Sequence, residues 1–239
     1  MRSLATSILA IVLLIPSAAF AQAARAINFR AVCFRHEQKI DKVLVPSPGE
    51  KGGMLEVPLY TTDYSELRKM KIKNGVAVFS VEDPDSKDEK NPYRAVGRAK
   101  VPASSQILFV FLPPAKGSKL PYRVIALPDD LRAAPWRSVR LLNIAPVAAR
   151  FNLGEFSGKN AKLLAPGKMT IIPRIRKLNK YNRYNVLIEF QTKNKFVGVS
   201  NTRWSSIKGK RDLAIAYIDP KTHRPVVNLY PDIQPANLP

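Results

Sequence analysis

Hydrophobic positions along the chain follow two patterns. Residues 8–15 form an unbroken apolar run, and from residue 27 onward short apolar or alternating runs recur, separated by Pro, Gly, Asn and Asp. The recurring runs have the length and spacing of β-strands bounded by turns, and helical periodicity is hard to find. They predict strands over 27–34, 54–60, 76–82, 94–101, 106–112 and 121–127, then 138–144, 148–153, 168–175, 184–191, 196–200, 213–218 and 225–230. Only Tyr64 to Met70 reads as locally helical.

Two strands stand apart. Ile107 to Leu112 is continuously apolar, and Leu213-Ala214-Ile215-Ala216-Tyr217-Ile218 has the same character. A strand without alternation is expected where both faces of its sheet are covered, so each is placed at the centre of its own core. Around them the marks repeat. Val96-Gly97, the central strand, Pro113-Pro114, and a strand from Pro121 to Pro128-Asp129 are echoed by Val197-Gly198, the central strand, Asp219-Pro220, and a strand from Pro225 to Pro231-Asp232. Upstream, Asn74 to Phe79 is matched with Pro166 to Ile171. The joint falls in Asp129-Asp130-Leu131-Arg132-Ala133-Ala134-Pro135 and divides the chain into residues 22–134 and 135–239, each the size of a sandwich of about seven strands.

The first apolar run has a different meaning. Arg2, the run to Ile15, the Pro16 break and Ala19-Phe20-Ala21 describe a secretory signal peptide over residues 1–21, cut after Ala21. The run is too short for a spanning helix, which needs about 20 apolar residues. The expectation is an exported protein, periplasmic or extracellular, with no transmembrane segment once the signal is removed. A single cysteine, Cys33, excludes an intramolecular disulfide and leaves stability to packing. Cys33 lies on an alternating run and is read as a core residue.

Ser138-Val139-Arg140-Leu141-Leu142-Asn143-Ile144-Ala145-Pro146, followed by the Leu164-Ala165-Pro166-Gly167 turn, resembles secreted bacterial β-sandwich (Ig-like) domain proteins of unknown function. The likeness covers residues 121–175 and departs from the pattern at Val147-Ala148-Ala149. It implies a fold and an export route, and brings no catalytic residues with it. The fold class expected is therefore all-β, two tandem β-sandwich (Ig-like) domains related as a degenerate internal repeat.

The formal net charge is +21, and it is unevenly spread. Residues 22–134 carry 19 Lys and Arg against 13 Asp and Glu, net +6, whereas residues 135–239 carry 19 against 5, net +14. A basic half of this kind attracts polyanions, among them envelope polysaccharides. Arg174, Arg176, Lys177, Lys180 and Arg183, interleaved with Tyr181 and Tyr184, are the candidate polyanion-binding residues, placed at the tip of a hairpin with strands 168–175 and 184–191. Lys193, Lys195, Lys208, Lys210 and Arg211 enlarge this patch if their loops share its end.

Catalytic and metal chemistry finds no motif. His36 and His223 are the only histidines; Cys33 and His36 form no second pair for zinc, and His223 lies in a hairpin loop. The carboxylates Glu155, Glu189, Asp212, Asp219 and Asp232 stand in strand or turn contexts. Glu82 to Glu89 is acidic but lacks the glycine and spacing of a calcium loop. Trp136 and Trp204 are read as core or interface residues. The expectation is a non-catalytic binding or structural module of the cell envelope, with no cofactor and no specific nucleic acid, contacting an anionic polysaccharide, another envelope polyanion or a protein. The alternative is a secreted carbohydrate-active hydrolase with an unrecognised carboxylate pair.

Overall fold

The computed structural model describes residues 24–49, 53–88, 92–115, 117–219 and 222–234; residues 1–21, where a signal peptide is expected, lie outside them. The first half contributes β1 (Arg25–Cys33), β2 (Lys42–Pro46), β3 (Met54–Pro58), β4 (Arg68–Ile72), β5 (Val76–Glu82), β6 (Tyr93–Lys100), β7 (Gln106–Leu112) and β8 (Arg123–Pro128). The second contributes β9 (Val139–Asn143), β10 (Ala149–Leu153), β11 (Lys162–Leu164), β12 (Met169–Ile172), β13 (Arg183–Thr192), β14 (Lys195–Ser205), β15 (Lys210–Ile218) and β16 (Pro225–Ile233). Among the described residues no helix is long and apolar enough to cross a membrane.

The strands form four sheets, ordered β4-β1-β7-β8 and β3-β2-β5-β6 in the first half, β12-β9-β15-β16 and β11-β10-β13-β14 in the second. Advancing every strand of the first pair by eight places reproduces the second pair, parallel β1–β7 and β9–β15 contacts included. The protein is thus all-β, built as two sandwiches with one topology.

Three apolar cores separate the four sheets. Phe29, Phe79, Phe109 and Phe111 fill the first sandwich, with ring centroids 4.8 to 5.7 Å apart in edge-to-face pairs. Phe151, Ile188, Phe190 and Trp204 fill the second. The third core lies between the sandwiches, where Val32, Leu108, Val110 and Leu112 meet Leu142, Leu213 and Ile215. This explains the unalternating runs: Ile107, Phe109 and Phe111 face the first core, while Leu108, Val110 and Leu112 face the other half. Burying a Leu or Ile contributes about 1.5–3 kcal/mol, so this contact is a core in its own right.

The structure corrects several sequence expectations. Tyr64 to Met70 is no helix; Arg68–Ile72 is β4, whose alternating Met70 and Ile72 enter the first core as β4 pairs with β1. Strands β2 and β11 went unpredicted. Residues 168–175 and 184–191 do not form one hairpin, because β12 pairs with β9 and β13 pairs with β10 and β14 in the other sheet. The match of Asn74–Phe79 to Pro166–Ile171 also fails: the first leads into β5, whose counterpart is β13, and the second into β12, the counterpart of β4.

Register replaces these with firmer equivalences. In both hairpins one residue is skipped by its partner strand, Val96 between the Phe79–Gly97 and Ser80–Ala95 pairs, and Val199 between the Ile188–Ser200 and Glu189–Gly198 pairs. Such a bulge marks a fixed place in a ladder. Val96 therefore corresponds to Val199, and Gly97 to Ser200 rather than to Gly198. With Pro128 matched to Pro231, the ladders also match Leu108 to Leu213 and Arg30 to Arg140.

Candidate functional site

The basic tract is a crossover between two sheets. After β12 the chain is pinned by Ile175, buried in the second core, and by half-buried Leu178, so Arg174, Arg176 and Lys177 project outward. Glu155 holds the backbone from below, its carboxylate accepting the N–H groups of Arg176 at 2.8 Å and Lys177 at 3.0 Å. Burial works to raise the Glu155 pKa, but those two N–H groups leave it below the usual range. The Asn179 side-chain oxygen accepts from the N–H of Tyr181 at 2.9 Å and of Arg183 at 3.0 Å, an Asx-type turn that shapes the loop. Gly154, with φ +53°, fits beneath it because a Cβ there would meet Ile175 Cγ2 at 2.9 Å.

A cavity of about 450 Å³ opens beside this loop, lined by Lys177, Arg183 and Arg203 with Asn179, Asn185 and Ser157. Arg203 was not foreseen: it sits on β14 opposite Asn185, three residues beyond the end of the strand 196–200 expected from sequence. Among the described residues, none of Arg174, Arg176, Lys177, Lys180, Arg183 and Arg203 takes part in an ion pair. Lys180 Nζ lies 5.1 Å from the centre of the exposed Tyr181 ring.

Other residues of the expected patch are elsewhere. Tyr184 borders the cavity but turns its ring into the second core, 3% exposed and edge-to-face with Trp204 at 6.4 Å, so it offers no open stacking face. Alternation along β13 requires this, since Tyr184, Val186, Ile188 and Phe190 share the inner face. Lys193 and Lys195 lie at the end of β13 opposite Arg183, about 30 Å away at 3.3 Å per residue. Lys208 is exposed in the turn after β14, near Arg183. Lys210 and Arg211 are buried and paired, Lys210 with Asp212 at 2.9 Å.

Arg211 belongs to a second polar cluster, on the seam between the halves. Arg30 donates from Nε to Asp129 at 2.7 Å and from Nη1 to Asp232 at 2.7 Å, with Nη2 also on Asp232. Arg140 reaches the other way, to Asp129 at 3.4 Å and to the Pro128 carbonyl. Arg211 bridges both carboxylates, Asp232 at 2.6 Å and Asp129 at 3.0 Å. Beside this cluster a cleft of about 710 Å³ is lined by Tyr64, Trp136, Leu67, Leu131 and Ile233 among others.

Asp232, in that cleft, is poorly suited to the general-acid role of glycoside chemistry, which needs a carboxyl kept protonated near neutrality. Burial raises the Asp232 pKa, but hydrogen bonds and charge from Arg30 and Arg211 bring it below the ordinary value. Glu189 is likewise held down by Arg150, at 2.7 Å. Burial pushes Asp212 up, against the opposing Lys210, but it is only 5% exposed and paired with Lys210 at 2.9 Å. His36 is bonded through Nε2 to the Leu59 carbonyl at 2.6 Å. Among the described residues no cluster of His, Cys, Asp and Glu is grouped to hold a metal.

The fold and these surfaces define a class: a four-layered, two-sandwich protein with a cationic loop surface and an ion-paired polar seam. No protein-family model and no curated protein sequence matches the chain. Among solved structures, human GIVD cytosolic phospholipase A2 aligns over 90% of this chain at 11% identity with a TM-score of 0.26, and the chain spans 32% of that structure's length.

Proposed function

We propose that the protein is an exported, non-catalytic binding module of the cell envelope that engages an anionic polymer through the crossover loop of its second half. One observation carries this reading: six exposed cations that, among the described residues, form no ion pair gather on that loop and around its cavity, while the cations of the seam are largely buried and paired. An anionic polymer meeting them loses little to competition with internal ion pairs and releases its counterions. Asn179, Asn185 and Ser157 add neutral hydrogen-bonding groups of the kind that contact sugar hydroxyls. The exposed Tyr181 supplies a stacking face for a sugar ring.

The test is retention of the protein from Gln22 onward on immobilised heparin across a salt gradient. Replacing Arg174, Arg176, Lys177, Lys180 and Arg183 by Gln is expected to move elution to much lower salt, and Arg203→Gln to move it in the same direction. Replacing Lys193 and Lys195 is expected to change it little. Retention indifferent to salt and to the five replacements overturns the proposal.

A further inference from the structure

In the first sandwich, strand β6 lies at a sheet edge that is closed. The Tyr122 N–H, at the entry to β8, donates to the carbonyl of the bulge residue Val96 at 2.9 Å. Gly97 lets the two strands come this close, for a Cβ there would stand 2.7 Å from Val124 Cγ2. The equivalent edge in the second sandwich is β14, and both devices are missing from it. The ladders place Pro225 where the first half has Tyr122, and proline has no N–H to give to Val199. Ser200 stands where the first half has Gly97.

Among the described residues, the Ser205 carbonyl at the end of β14 accepts from Lys210 Nζ at 3.2 Å, and no other backbone group of β14 bonds to anything other than β13. An edge of this kind presents a row of unpaired N–H and C=O groups, a template for one more strand. Val197 is 42% exposed on it, and Thr202 and Arg203 are also open to solvent.

We propose that β14 is a docking edge for an extended acidic segment of a partner protein, which adds a strand to this sheet. Charge selects the occupant. β14 carries Lys195 and Arg203 and no carboxylate, with Lys193 and Lys208 just outside it. A second copy of the chain is disfavoured: antiparallel pairing of two β14 strands about Val199 sets Lys195 of one directly against Arg203 of the other, and like charges opposite each other destabilise a ladder. An acidic strand meets the same two cations with opposite charge, and only a polypeptide supplies the main-chain groups the edge lacks. The inference rests on the open backbone edge of β14 rather than on polymer binding at the crossover loop, with which it shares only Arg203.

The probe is a labelled peptide of about eight residues alternating Val and Glu, titrated by fluorescence anisotropy, with amide hydrogen exchange read along the protein. Binding with added protection confined to β14, and none at β6, is expected. A control peptide with the same Glu residues but Pro in place of Val keeps the charge and cannot pair, so it is expected not to protect β14. Rebuilding the closure with Ser200→Gly and Pro225→Tyr is expected to weaken binding at least about tenfold while leaving heparin retention unchanged. Should that double variant fold poorly, Lys195→Glu, at an exposed position far from the crossover loop, is expected to weaken peptide binding with heparin retention again unchanged. Equal binding of the proline peptide, protection elsewhere, absence of binding, or a dimer sealed along β14 in sedimentation overturns the proposal.

Discussion

Arg30 in β1 grips the carboxylate of Asp232 in β16, 202 residues further along the chain, and the equivalent Arg140 of the second half reaches back to Asp129 of the first. Each half thus offers one arginine and one aspartate to the other, the reciprocity of an interface between two like subunits. The symmetry is incomplete: Arg30 also holds Asp129 at 2.7 Å while Arg140 pairs with Asp129 alone, and Arg211, which touches both carboxylates, stands where the first half has Gln106.

Removing one member of this cluster strands the rest. Asp232→Ala leaves Arg30 and Arg211, with side chains 14% and 8% exposed, short of a counter-charge. The expected loss is about 3 kcal/mol, read as a lower urea midpoint with unchanged m-value. A variant as stable as the parent would show that the seam contributes no stability.

Acid should act on the same seam. Burial raises the Asp232 pKa, and Arg30 and Arg211 together lower it below the ordinary 3.8. A depressed carboxylate adds stability that is complete above its unfolded value and is lost as pH falls through its folded value. The urea midpoint is therefore expected to be flat between about pH 7 and 5 and to fall below about pH 4. Asp232→Asn should lose less over that range than the parent does. An unchanged acid profile in Asp232→Asn contradicts this.

The single thiol should be silent in the folded protein. Cys33 is fully buried, and burial pushes its pKa up to about 12, with Sγ donating to the Arg35 carbonyl at 3.0 Å. A thiol-disulfide reagent at neutral pH is expected to find nothing in the native state and one thiol in urea. Fast native labelling would mean that the β1 end opens readily.

Gly97 is a packing position. Gly97→Ala drives a methyl to 2.7 Å from Val124 Cγ2 and is expected to cost about 1–3 kcal/mol, with Val124→Ala restoring part of it. A neutral Gly97→Ala would mean that β6 and β8 do not approach so closely. Ser200→Gly, at the matching position of the open edge, is expected to fold normally.

How far the sequence could be read depended on where each signal lay. The unalternating Ile107–Leu112 and Leu213–Ile218 runs announced sheets covered on both faces, and Pro128-Asp129 and Pro231-Asp232 were visible as matching marks. The Arg174–Arg183 cations were visible as a cluster because they are contiguous. Arg203 was not, because only the β13–β14 register sets it beside Arg183 and Asn185. Tyr184 was misplaced because an aromatic next to cations reads the same whether the strand turns it outward or inward.

By itself, the sequence determined the all-β class, two sandwiches of like grammar, and a surplus of positive charge in the second half, because these depend on period, punctuation and composition along the chain. Only the tertiary structure decided that the two sandwiches share a third core, that Arg30 and Arg211 are committed to Asp129 and Asp232, and that β14 stays open where β6 is closed. Those outcomes depend on pairings between residues distant in sequence. A proline lacking one N–H and a serine replacing one glycine have no visible consequence until the strand they face is known.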